Sequence, residues 1–119
     1  NVYRTLTKDG ILITQSESPV AALKYYKRIY KTYYKLFGKD NVHSYTSPVP
    51  TYATGAWSFA FCSKGSVNPM RDLDDNKAND FARENNLKFF DAAQIRAQFT
   101  QPKYIRDILE ELRAEVAAE

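Results

Sequence analysis

The 119-residue chain has one cysteine, one histidine and only four glycines, and each scarcity removes a class of chemistry. Cys62 on its own excludes an internal disulfide framework and fits a reducing compartment. His43 is the sole histidine, and the pattern around it reads as a loop. No Ser-His-Asp or Cys-His constellation can therefore be assembled, and no zinc-ligand spacing exists. There is no glycine-rich phosphate loop. No apolar run approaches the roughly 18 residues of a membrane helix, and no signal-type segment is present, so a cytoplasmic setting without membrane contact is expected. The formal net charge of +3 is too small to argue for nucleic acid by itself. The length fits one domain with a modest core.

What is present reads as α/β. The opening "NVYRTLTKDG" suits the last turns of a helix, with Gly10 closing it in a left-handed conformation. A chain that starts inside an element, without Met, is expected to be a fragment or a processed product. "ILITQ" follows as a short β-branched strand suited to cover on both faces. Ser18 is a good helix N-cap and Pro19 fits the first helical position, which predicts a helix from there to about Phe37. "GKDN" ends it.

That helix alternates Lys, Arg and Tyr, but at about 100° per residue the types separate. Lys24, Lys27, Arg28, Lys31 and Lys35 gather on one side. Tyr25, Tyr26, Ile29, Tyr30, Tyr33, Leu36 and Phe37 gather on the other. An aromatic face buried on a sheet accounts for the pattern, and a phosphate-tracking basic surface is the alternative.

"HSYTSPVPTY" is extended and punctuated by proline. "AWSFAFCS" is a strand of clear alternation. Trp57, Phe59 and Phe61 form a large face expected to pack on helices. Ala56, Ser58, Ala60 and Cys62 form a small face that allows close approach. "LDDNKANDFARENN", "DAAQIRAQF" and "TQPKYIRDILEELRAEVAAE" read as three helices, the last with a stripe of Tyr104, Ile105, Ile108, Leu109 and Leu112. Asp74 and Asp75 sit at a helix start, where complementing the helix dipole explains them better than a paired-carboxylate site. The order predicts the tail of an α/β sheet to which a late antiparallel strand pair has been added. Two candidate positions for chemistry remain. Gln15 ends a strand, where open α/β sheets bind ligands, and Tyr52 and Trp57 flank Gly55 in "PTYATGAWSF".

These residues carry a resemblance. "DGILITQSESP", "VPTYATGAWSFAFCSKG" and "LKFFDAAQIRAQFTQPKYI" occur in the order found in the carboxyl-terminal part of the polyamine aminopropyltransferases, the spermidine synthase family. The proline-threonine-tyrosine segment with its Gly, Trp-Ser-Phe and Ser-Lys-Gly is the most specific piece. The resemblance implies a Rossmann-type, methyltransferase-like fold. It further implies aminopropyl transfer from decarboxylated S-adenosylmethionine, a co-substrate and not a bound cofactor, to putrescine, giving spermidine and methylthioadenosine. A homodimer or homotetramer is expected, and no metal is expected because one Cys and one His supply no ligand set.

Under the resemblance, Tyr52 is the tyrosine that contacts the amine acceptor and Trp57 an aromatic wall of the same pocket. Gln15 stands near the acceptor, and Glu17 is the acid of the same loop. The family's catalytic aspartate and donor-binding loop precede the matched region, so residues 1–119 alone, the later portion of one catalytic domain, are expected to be inactive. Ala53 and Thr54 stand where the family has Pro and Ser. Phe89 and Phe90 replace a Tyr pair, Asp91 an Asn, and Ile95 a His. A putrescine methyltransferase on the same fold and a small basic nucleic-acid-binding protein are the competing readings.

Overall fold

The alternating stretch Ala56–Ser63 is the middle strand of a three-stranded sheet in the computed structural model, which describes residues 1–119. The elements in order are α1 (Val2–Thr5), β1 (Ile11–Gln15), α2 (Leu23–Phe37), β2 (Val42–Pro48), β3 (Ala56–Ser63), α3 (Asp75–Glu84), α4 (Ala92–Phe99) and α5 (Lys103–Ala117). The sheet order is β1-β3-β2, and β3 is antiparallel to both neighbours. β1 and β2 are thus parallel to each other, joined by α2, with β3 inserted between them. The expected late antiparallel pair is β2–β3, in register from Val42↔Cys62 to Pro48↔Ala56. Its connection is closed by Val49 N–H donating to the Gly55 carbonyl at 2.9 Å, and Gly55 has φ +70°, a conformation that glycine adopts without strain.

The core inverts the expected roles of the two faces of β3. Ser58, Ala60 and Cys62, the small face, are wholly buried, while Trp57, Phe59 and Phe61 are half-buried. The small side chains leave room for the α2 rings of Tyr26, Tyr30 and Tyr34, which with Phe37, Val42, Ile105 and Leu112 complete the core. The large face is covered only in part, by α4, whose Phe99 ring lies 4.9 Å from Tyr45 and 6.1 Å from Phe61. Burial also rotates α2 relative to expectation. Tyr34 is buried in place of Tyr25 and Leu36, which are exposed, because the stripe that meets the sheet runs through 26, 30, 34 and 37.

Other local expectations are corrected. α2 begins at Leu23, four residues after Pro19. Ser18 instead caps a separate turn, accepting from Val20 and Ala21 N–H at 3.2 and 3.0 Å. Gly10 is not left-handed and does not close α1, which ends at Thr5. Glycine is needed there because a Cβ would sit 2.8 Å from the Leu6 Cβ. β1 is not covered on both faces. It pairs on one edge only, and Ile11 and Ile13 stand exposed on the side away from α2. On α5, Tyr104 leaves the expected stripe for solvent, while Ile105 and Leu112 are buried. The basic side of α2 is partly engaged. Lys31 pairs with Glu115 and Glu119, and Lys35 with Glu119, all on or beside α5. No helix is long and apolar enough to cross a membrane.

His43 lies in β2 and not in a loop, with its Nε2 buried and unpartnered. Burial, helped by the Arg113 and Arg71 charges, holds its pKa below the ordinary histidine value. The unfolded chain therefore takes up this proton at higher pH than the folded one. Stability contributed by neutral His43 is present above about pH 6.5 and is lost as pH falls toward the folded-state pKa. Urea melts across pH 5–7 should show that slope, and His43→Gln should flatten it. An unchanged slope in the variant would assign it to other groups.

Candidate functional site

The site is built where β1 ends and the β2–β3 connection returns. β1 delivers Gln15, which pairs in register with Phe59 and so shares the aromatic face of β3. The connection delivers Tyr52, whose hydroxyl donates to Gln15 Oε1 at 3.1 Å. The Tyr52 ring packs on Trp57 with centroids 4.2 Å apart and planes inclined by 54°. Three of the four residues singled out in the sequence, from three separate segments, thus form one cluster.

The direction of the Tyr52–Gln15 bond limits what the cluster can bind. A phenol has one proton, and here it is committed to Gln15. The Tyr52 oxygen is left able only to accept, beside the second lone pair of Gln15 Oε1. With the π faces of Tyr52 and Trp57, the cluster offers acceptor lone pairs and negative ring quadrupoles beside the N–H donors of the Gln15 amide. Trp57 Nε1 is buried without a partner, so the indole contributes its ring and not its N–H.

Glu17 is tied through its backbone to Ser58, on the other face of β3 from the cluster. It is one of two non-glycine residues in the left-handed region, with φ 69°. Its carbonyl accepts from both the N–H and the hydroxyl of Ser58. None of Gln15, Glu17, Tyr52 or Trp57 lines the larger cavities of the molecule. The cavity nearest to them, of about 430 Å³, touches the neighbouring Ser18, Thr54 and Ala56. The cluster is a wall and not an enclosed pocket.

Behind the wall lies a network that sequence reasoning missed. Ser16 Oγ is 2.7 Å from Ser58 Oγ and 2.9 Å from Tyr30 Oη. Tyr30 Oη also lies 2.8 Å from Ser44 Oγ and 3.1 Å from the Phe59 carbonyl. Gln101, at the head of α5, donates to Ser44 Oγ and accepts from Thr46 Oγ1 at 3.0 and 2.9 Å. Burial pushes the Tyr26 and Cys62 groups up to about 12, so both stay protonated and neutral at physiological pH. The available signal was serine at core-facing strand positions, Ser44 and Ser58, where an apolar residue would otherwise be expected. Asp74 and Asp75 are not a site. Asp74 caps α3 by accepting from Lys77 N–H at 3.0 Å, and Arg96 grips Asp75 and holds its carboxyl below the usual range.

A sheet with a late antiparallel strand inserted beside a βαβ crossover belongs to the Rossmann-like α/β class. Residues 1–72 match the spermine/spermidine synthase domain family, and the chain belongs to that family of polyamine aminopropyltransferases. It is 34% identical to the polyamine aminopropyltransferase of Methanocaldococcus jannaschii over 90% of this chain and 36% of that protein. It is 35% identical to that of Clostridioides difficile over 92% of this chain and 38% of that one. The crystal structure of spermidine synthase from Thermotoga maritima is similar with a TM-score of 0.79 and 29% identity, over 92% of this chain and 37% of that chain. A spermidine synthase in complex with the transition-state analogue AdoDATO gives a TM-score of 0.80 at 29% identity, over 92% of this chain and 36% of that chain. The chain therefore spans a little over a third of the length of these relatives.

Proposed function

We propose that the whole protein transfers an aminopropyl group from decarboxylated S-adenosylmethionine to putrescine, and that residues 1–119 supply the wall that receives the diamine. The neutral nitrogen of putrescine attacks the carbon beside the sulfonium, the C–S bond breaks, and methylthioadenosine leaves as a neutral thioether. The attacking nitrogen then sheds one proton, giving spermidine. Alignment of the two reactants dominates such a displacement. In this reading the far ammonium of the diamine lies on the Tyr52 and Trp57 rings and donates to Tyr52 Oη and Gln15 Oε1. The Glu17 carboxylate adds negative charge from the same loop. The group that takes the proton, and the donor site, lie outside these residues.

The observation that carries the reading is the committed Tyr52 proton, which leaves the phenol oxygen free only to accept, beside Gln15 Oε1 and the two π faces. The nucleic-acid reading draws less support, because Lys31 and Lys35 of the basic helix face are paired with α5 carboxylates. The test supplies putrescine with decarboxylated or intact S-adenosylmethionine and identifies the product by mass. Spermidine with methylthioadenosine, from the decarboxylated donor only, is the expected result. Methylated putrescine from the intact donor would transfer the same wall to a methyltransferase and end the aminopropyl reading.

A further inference from the structure

We infer that Ser58 is a positioning residue that sets acceptor binding by clamping the loop that carries Gln15 and Glu17. The identity of the acceptor rests on the reading above, whereas the clamp itself does not. Ser58 is wholly buried in β3, next to Trp57 in the chain but facing the opposite side of the sheet. It makes four bonds to two consecutive residues of the loop, one of them between its hydroxyl and that of Ser16 at 2.7 Å. Its carbonyl accepts from Ser16 N–H at 2.9 Å, its own N–H donates to the Glu17 carbonyl at 3.2 Å, and its hydroxyl donates to that same carbonyl.

The proton order follows from the acceptors. A carbonyl cannot donate, so the single hydroxyl proton of Ser58 is spent on Glu17. Ser16 Oγ, 2.7 Å away, must then donate to Ser58 Oγ. The two serines form a directed relay that ends on the carbonyl of a residue held at φ 69°. A non-glycine residue in that region needs its surroundings to hold it there, and the double capture of its carbonyl does so. Residues 57 and 58 of one strand therefore fix both halves of the wall. Trp57 holds Tyr52 through ring contact, and Ser58 holds the Gln15–Glu17 loop through the backbone.

The variants are Ser58→Ala, Ser16→Ala and, as control, Ser44→Ala in the whole protein. Ser44 is buried in the same network but does not touch residues 15–17. Steady-state kinetics with putrescine and decarboxylated S-adenosylmethionine are paired with amide hydrogen exchange across residues 16–18. Loss of a buried hydrogen bond to a strained carbonyl predicts, for Ser58→Ala, about tenfold faster exchange in that segment. The putrescine KM should rise by about the same factor while the donor KM is unchanged. Ser16→Ala should give a smaller effect of the same kind. Ser44→Ala should lower the melting temperature without selective exchange at 16–18 and without a change in putrescine KM. Unchanged local exchange in Ser58→Ala, or parallel KM changes in Ser58→Ala and Ser44→Ala, would overturn the proposal. Faster local exchange in Ser58→Ala, when the parent itself forms no spermidine, would uphold the clamp and refute the aminopropyl reading.

Discussion

Tyr52→Ala is expected to raise the KM for putrescine about thirtyfold to a hundredfold while leaving the KM for decarboxylated S-adenosylmethionine within a factor of two. The magnitude comes from two losses. A hydrogen-bonding hydroxyl contributes about 1 kcal/mol, and an aromatic face under a partly desolvated ammonium about 1–2 kcal/mol. Each 1.4 kcal/mol is a factor of about ten. Tyr52→Phe separates the two, because it keeps the ring against Trp57 and removes only the bond to Gln15. It should cost about threefold to tenfold. Binding steps move and chemistry does not, so kcat should change less than KM. Equal losses for donor and acceptor would mean that Tyr52 supports the fold and not the amine.

Tyr30→Ala is expected to destabilise the whole protein by about 3–5 kcal/mol, a large part of the roughly 5–15 kcal/mol that holds a domain together. Tyr30 is wholly buried, its ring 4.6 Å from Tyr26 and 6.3 Å from Tyr34. Its hydroxyl meets Ser16, Ser44 and the Phe59 carbonyl, joining the β1 loop, β2 and β3 at one point. Removing the side chain leaves a cavity and takes one hydrogen-bond partner each from Ser16 and Ser44, which keep Ser58 and Gln101. Tyr30→Phe avoids the cavity and should cost about 1–2 kcal/mol, the loss of those buried hydrogen bonds. Urea melts of the three proteins measure both steps. A Tyr30→Ala midpoint equal to the parent's would show that the tyrosine core does not carry the stability assigned to it.

The strong periodicities were legible. Alternation in "AWSFAFCS" located β3 to the residue, the 3.6-residue stripe located α5, and α3 and α4 fall within the stretches read as helices. Which face of β3 was buried was not legible, because size alternation says that two faces differ and not which one meets the larger partner. The partner turned out to be a row of tyrosines, and rings of that size need the small face. α2 began late for a related reason. Ser18 and Pro19 carry ordinary helix-start chemistry, but Ser18 spends its side chain on a turn that precedes the helix. Gly10 was misread because sequence cannot distinguish a glycine needed for φ from one needed for space, and here Leu6 occupies the place of a Cβ. At the site, Tyr52, Gln15 and Trp57 were legible as residue types with unusual positions. The Ser16–Ser58–Tyr30 network was not, since nothing local links positions 16, 30 and 58 before the chain folds.

The central claim is that the end of β1 and the β2–β3 connection act as one acceptor wall through the Tyr52–Gln15 bond. A double-mutant cycle on putrescine KM with Tyr52→Phe, Gln15→Ala and the pair tests it most directly. The account predicts that each single variant raises KM and that the pair raises it by less than the product of the two. The shortfall should correspond to a coupling of about 0.5–3 kcal/mol, as for residues in one network. Rises that multiply independently, or a putrescine KM indifferent to both substitutions, would contradict it.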